Sequence, residues 1–315
     1  MEKIKIRKVY GLVTLGAFLW LLPSVGLGQC NVSIGATSYP SITAALNAAA
    51  AGNTINVSGT CNEIVNIYAV KNHLTLNGGG TATITCPAAG CTSANVMILA
   101  RFIKIIGFNI TGGFAAIQIN QGAVATIDGN NIYGTQRNGM LVCSGSSAII
   151  INNTIHDTGQ NPDYPNPTGI EVDDNATAWI GVLTLVTTVP SKNFIRDNHI
   201  GIRVRRSASA VIVGNEITNN ETDGIRVIES SVANIADNLI DGNGQNGIFV
   251  SQGSGVNLAK DEFGAPIFNL PNSGTNEDKG LSCSIGGYVD GFLGTLDGLH
   301  GAVGISKGCF NSLEQ

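Results

Sequence analysis

Two consecutive stretches of the chain read IRVRRSASAVIVGNEITNNETDG (residues 202–224) and IRVIESSVANIADNLIDGNGQNG (residues 225–247). A third copy of this 23-residue unit, IQINQGAVATIDGNNIYGTQRNG, occupies residues 117–139. Each copy begins with a triplet whose apolar residues alternate, and each ends on glycine. A fixed period of this kind is typical of a solenoid, and the alternation has the period of a strand rather than of a helix. The repeat therefore predicts an all-β chain whose coils each contain three short strands, a single-stranded parallel β-helix.

Two longer copies, residues 140–169 and 170–201, fit the same register when they are aligned on their glycines. One position of every copy is then an asparagine: Asn130, Asn153, Asn193, Asn215 and Asn238. Stacked side-chain amides can hydrogen-bond along such a column, and asparagine tolerates the left-handed backbone of a sharp bend. We therefore expect a structural asparagine ladder at one corner of the coils.

The first 28 residues have the pattern of a secretory signal. Basic residues precede an apolar stretch at 9–22, and residues 26–28 are small enough for cleavage before Gln29. The alternative is an uncleaved membrane anchor, because residues 9–28 are just long enough to span a bilayer. We expect a secreted, periplasmic or cell-surface protein with no membrane contact after cleavage.

The chain has a formal net charge of −5, and cleavage would remove four basic residues and one acidic residue. A chain this acidic is a poor general binder of nucleic acid or of anionic membranes, so we expect neither partner. Its 41 glycines and 12% charged residues fit one elongated stack of strands and turns. We divide it into a signal (1–28), an N-terminal cap with irregular first coils (29–116), regular coils (117–258) and a C-terminal tail (259–315).

Seven cysteines in an exported chain indicate disulfides and leave one cysteine over. The pairs that we consider are Cys30 with Cys61, Cys86 with Cys91, and Cys283 with Cys309, which leaves Cys143 at an outward position of the repeat. The chain has no CxxC pair and no histidine–cysteine cluster with metal spacing, so a zinc site is not expected.

Both ends of a parallel β-helix must be covered, because a terminal coil has an unpaired edge. Residues 41–51, which follow Pro40 and precede Gly52, predict a short helix that covers the first end. Strand-like segments follow it at 53–57, 64–67, 74–77, 95–99 and 103–110. The glycine-rich tail around Cys283 and Cys309 predicts a loop-rich, disulfide-bracketed cap over the other end.

The alanine-rich helix leads into NTINV (53–57), LTLNG (74–78) and IIGF (105–108), and then into the asparagine-ladder repeats. This order resembles the right-handed parallel β-helix proteins of the pectate lyase-like superfamily, and the resemblance covers most of the chain. It implies their fold and a site on the outer face of the first sheet, the sheet entered after each repeat-ending glycine. The superfamily includes lyases, hydrolases, uronan epimerases, phage spikes and adhesins, so the resemblance does not define an activity.

Charged residues cluster at the outward positions of the first-sheet triplets: Glu171, Asp173, Arg203, Arg205 and Arg226, followed by Asp174 and Arg206. Neighbouring coils lie about 4.8 Å apart, so we expect Glu171 to face Arg203 and Asp173 to face Arg205. The arginines exceed the acids that they face, and a free guanidinium group can hold a carboxylate through two hydrogen bonds. A polymer of uronic acids offers such carboxylates.

An insertion of about seven residues, NPDYPNP (161–167), lengthens the turn that leads into the strand of Glu171. Functional loops commonly lie on rigid scaffolds of this kind, so we expect the insertion to form a cleft wall in which Tyr164 offers a face for sugar stacking. A second insertion, residues 182–191, enters at the ladder corner and suggests no function.

Three chemistries could use this face. A β-eliminating lyase would take its base from Arg203, Arg205 or Arg226, and Asp173 with Asp174 could bind Ca²⁺, the only cofactor considered. A hydrolase would use Glu171 and Asp173 as an inverting pair. An epimerase would need a tyrosine, histidine and arginine set, whereas Tyr133 and His156 belong to the third strand of their coils. The Gly-His-Gly and Arg-x-Lys elements of polygalacturonases and the Asp-Pro-His-Asp element of alginate epimerases are absent from the corresponding places.

The sequence thus favours an exported β-helix that binds or processes an acidic, uronate-type polysaccharide or cell-surface glycan. If the protein is an enzyme, the sequence favours a polysaccharide lyase over a glycoside hydrolase. The alternative is a non-catalytic structural or adhesin-type protein. In that case the charged residues form an exposed ladder of ion pairs, each worth about 0 to 1 kcal/mol.

Overall fold

The chain winds into stacked coils of three short strands, as the repeat predicts. The computed structural model describes residues 28–87, 90–181, 191–259 and 271–314. The predicted signal up to residue 27 and residues 182–190 of the second insertion lie outside these ranges. No helix among the described residues is both long and apolar enough to cross a bilayer.

The N-terminal part contains the only helix of the described chain and the irregular first coils. In chain order its elements are β1 (Asn31–Ile34), β2 (Thr37–Tyr39), α1 (Ile42–Ala48), β3 (Thr54–Ser58), β4 (Thr60–Asn62), β5 (Val65–Ile67), β6 (Thr75–Thr85), β7 (Val96–Ile98) and β8 (Arg101–Thr111). Strands β6 and β8 are longer than expected because each runs through a corner without a break and pairs with two columns of strands.

The coils that follow contain β9 (Ala115–Ile119), β10 (Val124–Asp128), β11 (Asn131–Tyr133), β12 (Asn138–Val142), β13 (Ser147–Ile151), β14 (Thr154–His156), β15 (Thr168–Val172), β16 (Thr177–Ile180), β17 (Phe194–Arg196), β18 (Ile200–Val204), β19 (Ser209–Val213) and β20 (Glu216–Thr218). They continue with β21 (Ile225–Val227), β22 (Val232–Ala236), β23 (Leu239–Asp241), β24 (Ile248–Val250), β25 (Gly255–Leu258), β26 (Ser273–Asn276), β27 (Leu281–Cys283), β28 (Tyr288–Phe292), β29 (Thr295–Gly298), β30 (Val303–Ile305) and β31 (Phe310–Glu314).

The first strands of successive coils form one ten-stranded parallel sheet, in the order β5-β7-β9-β12-β15-β18-β21-β24-β27-β30. We call it the first sheet. The second and third strands of the coils form the other two walls, and parallel pairing such as Ala125 with Ala148 and Ala148 with Ala178 keeps the register that the glycine alignment predicts. The expected coil architecture is confirmed.

The core lies inside the coils, where aliphatic side chains stack in columns. One column is fully buried along its length: Ile127, Ile150, Ile180, Ile212 and Ile235. Each such side chain contributes about 1.5 to 3 kcal/mol by leaving water. The neighbours of each isoleucine in this column lie at the same position of the adjacent coils, so packing of the core and register of the strands stabilise each other.

The asparagine ladder is present and continues one rung further than expected, to Asn272. In a typical rung, Asn215 Nδ2 donates to Asn238 Oδ1 at 3.0 Å and to Ile180 O at 2.9 Å. A second ladder, which the sequence analysis missed, lies at the corner between the third strands and the first sheet and consists of Asn198, Asn220, Asn243 and Asn276. Both ladders satisfy backbone groups that a sharp corner would otherwise leave unpaired.

The glycines that end the repeats form a column of their own. A Cβ atom on Gly201 would lie 2.5 Å from Gly224 O and 2.7 Å from Ile217 Cγ2. None of Gly139, Gly169, Gly201, Gly224 and Gly247 has a positive φ. Close approach of adjacent coils, and not backbone conformation, therefore explains the glycine that closes each repeat.

The ends are covered in two different ways. Helix α1 begins after Ser41, whose Oγ accepts a hydrogen bond from Ala44 N at 3.0 Å, and it buries Ile42 and Leu46. The tail is more regular than the expected loop-rich cap, since its described part, residues 271–314, adds strands in parallel register with the preceding coils. It keeps inward apolar residues at the coil spacing, which explains this regularity.

All three proposed disulfides are present: Cys30–Cys61, Cys86–Cys91 and Cys283–Cys309. The last of them brackets the final coils, so the C-terminal cap is a disulfide-held pair of coils. Cys143 is the free cysteine, as expected, but it is buried.

Candidate functional site

Two columns of side chains project outward from the first sheet. One contains Gln118, Leu141, Glu171, Arg203, Arg226 and Phe249, in adjacent register. The other contains Cys143, Asp173 and Arg205, each one residue past its strand. The structure therefore brings together Glu171, Asp173, Arg203 and Arg205, in the facing arrangement that the sequence predicts.

The expectation of a solvent-exposed ladder is wrong. Every residue of β12, β15 and β18 is buried, including those that point out of the coil. Glu171 has an exposed fraction of 0%, Arg203 of 4% and Asp173 of 6%. Burial raises the cost of leaving any of these charges unpaired, so the surface estimate of about 0 to 1 kcal/mol per pair does not apply.

The carboxylate of Glu171 lies at the centre of this cluster. Arg203 Nη2 lies 3.0 Å from Glu171 Oε1, Arg205 Nε lies 2.6 Å from the same oxygen, and Arg137 Nη2 lies 4.0 Å from Oε2. Asn138 Nδ2 also donates to Oε2, at 2.7 Å. Burial alone would raise the pKa of Glu171, but the charges of Arg203 and Arg205 outweigh it and hold the pKa below its ordinary value.

Asp173 is paired differently. Its Oδ2 accepts hydrogen bonds from Arg205 Nη2 at 3.0 Å and from Arg206 Nη1 at 3.1 Å. Burial nevertheless raises the pKa of Asp173 above its ordinary value, because the cost of desolvation exceeds the attraction of Arg205. Arg206 also contacts Glu229 at 3.5 Å and is about half exposed, so it forms the open edge of the cluster.

Arg226 is not a free cation, contrary to the expectation. Its Nε donates to Asp223 Oδ2 at 2.6 Å, and Asp223 Oδ1 accepts from Asn246 N and Nδ2. Asp223 is fully buried and precedes the repeat-ending Gly224. The excess of arginine over acid in this part of the sheet is therefore smaller than the sequence indicates.

An aromatic wall stands at one side of the cluster. The rings of Phe114 and Tyr164 meet edge to face at 5.1 Å, and the Arg137 guanidinium lies over the Phe114 ring at 5.4 Å. Asn161 N donates to Gln136 O, which ties the insertion to the turn before Arg137. The insertion thus lies beside the cluster, as expected, and it places Tyr164 two side chains from Glu171.

The floor next to Asp173 is apolar. Leu141 and Cys143 pack in a small outer hydrophobic cluster with Ala94, Ala115, Met97 and Phe114. Gln118 Nε2 lies 3.7 Å from Cys143 Sγ, and burial raises the pKa of the thiol above its ordinary value. Cys143 is therefore a packing residue of this floor.

The cluster has many buried polar atoms that lack a well-aligned partner. They are Arg137 Nε, Glu171 Oε1, Asp173 Oδ1, Arg203 Nε, Arg203 Nη2 and Arg205 Nε, six of the ten such atoms found in the described chain. Arg203 and Arg205 approach Glu171 closely, but these N–H groups are not aimed at the oxygen. The contacts are thus mainly Coulombic, and they leave directional hydrogen-bonding capacity unused.

The two carboxylates of the Ca²⁺ hypothesis, Asp173 and Asp174, have different hydrogen-bond partners. Asp174 is exposed and its Oδ2 accepts from Ser144 Oγ at 3.2 Å, whereas two guanidinium groups already contact Asp173 Oδ2. The one grouping of metal-ligand atoms within the described ranges is Cys30, Cys61 and Glu63, and its cysteines are joined in a disulfide.

Sequence reasoning missed Arg137, Asn138, Phe114 and Asp223. Asn138 and Asp223, with Asn246, precede the repeat-ending glycine in three copies, a recurrence that could have indicated a polar column beside the first sheet. Tyr133 and His156, in contrast, lie on the third wall and not in this cluster. Their rings stack on each other with centroids 5.4 Å apart.

Residues 115–269 match the family model described as "Right handed beta helix region". A search of curated proteins finds no match.

Solved structures that resemble the chain include an alginate lyase from Paenibacillus sp. str. FPU-7, with 16% identity, 87% of this chain and 96% of that chain covered, and a TM-score of 0.46. They also include the periplasmic alginate epimerase AlgG, with 13% identity, 100% of both chains covered and a TM-score of 0.46. A third is the A-module of the Azotobacter vinelandii mannuronan C-5 epimerase AlgE6, with 13% identity, 87% of this chain and 94% of that chain covered, and a TM-score of 0.36. The matched coils are a right-handed β-helix region, and the fold of the chain is a right-handed parallel β-helix.

Proposed function

We propose that this protein is exported and binds an acidic, uronate-type polysaccharide on the outer face of its first sheet. The observation that carries the proposal is the set of buried guanidinium N–H groups without aligned acceptors at Arg137, Arg203 and Arg205. Guanidinium groups bind carboxylate oxygens through short, charge-assisted hydrogen bonds, often two at a time. Three disulfides support export, because they persist in oxidising compartments.

The charge balance supports the same ligand class. Arg137, Arg203 and Arg205 surround two carboxylates, those of Glu171 and Asp173, which leaves one positive charge in excess. The remaining arginines of the face already contact acids, Arg206 with Glu229 and Arg226 with Asp223. One carboxylate from a ligand would neutralise the excess without adding a buried uncompensated charge.

A polymer can reach the cluster at its exposed edge. The side chain of Arg137 is 23% exposed and that of Arg206 is 54% exposed, so both can meet a polymer that lies on the surface. Tyr164 stands on the same side as Arg137 and offers an aromatic ring to the apolar face of a sugar. A polymer that crosses this edge would meet a cation and a stacking surface together.

For processing, the geometry favours β-elimination over hydrolysis. A hydrolytic pair would need Glu171 and Asp173 to exchange protons with substrate and water, but guanidinium groups hold both carboxylates. Burial lowers the pKa of the Arg203 guanidinium from its ordinary value, which is the direction required of a base. Arg203 is therefore the proposed base of a lyase, with Arg137 and Arg205 as partners of the uronate carboxylate.

The alternative is a non-catalytic structural or adhesin-type protein. The observation that favours it is the complete burial of Glu171 inside a ring of arginines. In that case the cluster would hold three coils together and would not open to a ligand.

The test is incubation of the purified protein with polygalacturonate and with alginate, with and without Ca²⁺. Lyase activity appears as ultraviolet absorbance of unsaturated uronate ends, hydrolysis as new reducing ends without that absorbance, and binding alone as retarded migration in a gel that contains the polymer. The proposal expects retardation by at least one uronan and none by a neutral glucan. Migration unchanged by every uronan would overturn it and leave the structural alternative.

A further inference from the structure

A groove on the outer face of the second strands offers a site separate from the first sheet. It is about 290 Å³ in volume, and its floor consists of small or apolar side chains of β10 and β13, among them Thr126, Ser147 and Ile149. Phe102 and Lys104 stand at one end, and Trp179 stands at the other. Both aromatic side chains are about half exposed.

The strand register explains which side chains stand at the two ends of the groove. Lys104, Thr126, Ile149 and Trp179 occupy one outward column, each on the next coil. Three coil spacings therefore separate the lysine from the tryptophan, a span of about 14 Å. The shorter side chains between them form the floor, so the groove is long enough for a short extended ligand.

Phe102 reaches this end of the groove through an unusual backbone conformation. Its φ of 60° lies in the left-handed region, and the pairing of β8 with β10 shifts register at this point, as in a β-bulge. Such a conformation is unfavourable for a bulky residue. The bulge turns the ring outward, where it stacks on His73 at 4.7 Å and lies under the Arg101 guanidinium at 5.9 Å.

The cations at this end are not held in salt bridges within the described part of the chain. Neither Lys104 nor Arg101 forms an ion pair with any residue in the described ranges. In contrast, the arginines of the first sheet are all in contact with carboxylates. Unpaired cations beside a groove with aromatic ends attract an anionic ligand that also has an apolar face.

We propose that this groove binds a short acidic oligosaccharide, with a sugar ring on Trp179 and a ligand carboxylate at Lys104. Sugar rings present an axial C–H face to indole and hydroxyls to side chains such as Thr126 and Ser147. An apolar ligand alone would leave Lys104 without a partner. This site does not depend on the first-sheet proposal, since the two faces share no residue.

The chain itself provides the probe, because its two tryptophans are Trp20, outside the described residues, and Trp179. In the full chain that carries Trp20→Phe, the emission of Trp179 is followed during titration with trigalacturonate. We expect a saturable change in emission. The matched neutral trisaccharide, in which a hydroxymethyl group replaces each carboxylate, should produce none at the same concentrations.

Substitution then localises the effect. Lys104→Ala in the same background should raise the Kd about tenfold or more, as expected for loss of a charged hydrogen bond. Lys307→Ala, an exposed lysine of the last coils, should leave the Kd unchanged. Arg137→Ala should also leave it unchanged, which separates this site from the first sheet. No saturable change in emission, an equal response to the neutral sugar or to a neutral detergent, or an unaltered Kd in Lys104→Ala would overturn the proposal.

Discussion

Glu171 Oε1 and Arg203 Nη2 lie 3.0 Å apart on adjacent coils, and both side chains are buried although both point out of the coil. Glu171→Gln keeps the shape of the side chain but leaves three guanidinium groups around a neutral amide. We expect a loss of about 3 to 5 kcal/mol in the free energy of unfolding, measured by urea denaturation. Glu216→Gln, which removes an exposed partner of Lys192, is the matched control and should cost about 0 to 1 kcal/mol. Equal losses in the two variants would contradict the buried cluster.

The contribution of Glu171 should depend on pH. The folded state holds its pKa below the ordinary value of 4.5, so the folded state binds fewer protons than the unfolded state as this group titrates. Its stabilisation is fully present above that value and is lost as the pH falls through the folded pKa. The difference in stability between the wild type and Glu171→Gln should therefore shrink on acidification from pH 7 to about pH 3. A constant difference across this range would argue against an ionised Glu171 in the folded protein.

Substitution of a ladder asparagine should lower the free energy of unfolding more than substitution of an asparagine on the outer surface. Asn215→Ala removes an amide that donates to Ile180 O and accepts from Asn193 N and Nδ2. Unsatisfied buried partners cost about 1 to 3 kcal/mol each, so the loss should exceed 2 kcal/mol in denaturant titration. The control is Asn234→Ala on the outer face, where the side chain accepts a hydrogen bond from Asn257 Nδ2 and the expected change is within about 0.5 kcal/mol.

Thiol titration should report Cys143 alone. Six cysteines are in disulfides and Cys143 is buried, with a pKa that burial raises. Without reductant, the native protein should react slowly with a thiol reagent and the unfolded protein should release one equivalent. Rapid reaction of the native protein, or three equivalents after unfolding, would show that the thiol environment or the pairing is different.

The sequence was sufficient for the fold and for the position of the charged residues, because a 23-residue repeat assigns each side chain to a column. Glu171 opposite Arg203 follows from counting alone. The burial of that pair could not be predicted from the repeat. Phe114 and the 161–167 insertion lie outside it, and the repeat position of Arg137 holds Thr222 and Gln245 in the other two copies. Alignment of the repeats also does not reveal an ion pair whose two residues lie on either side of the repeat-ending glycine. Asp223 and Arg226, on either side of Gly224, are such a pair.

The second asparagine ladder shows the opposite case, a pattern present in the sequence and not used. Asn198, Asn220 and Asn243 recur at intervals of 22 and 23 residues, close to the repeat length. They lie in the turn before the first sheet, where asparagine is common for several physical reasons, so spacing alone does not distinguish a ladder from ordinary turn residues.

The central claim is that the guanidinium cluster of the first sheet binds uronate polymers, and the affinity of Arg137→Ala for polygalacturonate tests it most directly. Arg137 is the most peripheral member of the cluster around Glu171, so its loss leaves Arg203 and Arg205 in place. The matched control is Arg196→Ala, an exposed arginine on the third wall that is paired with Asp197. Calorimetric titration should show a Kd raised about tenfold in Arg137→Ala and unchanged in Arg196→Ala. Equal affinities in the wild type and both variants would contradict the claim.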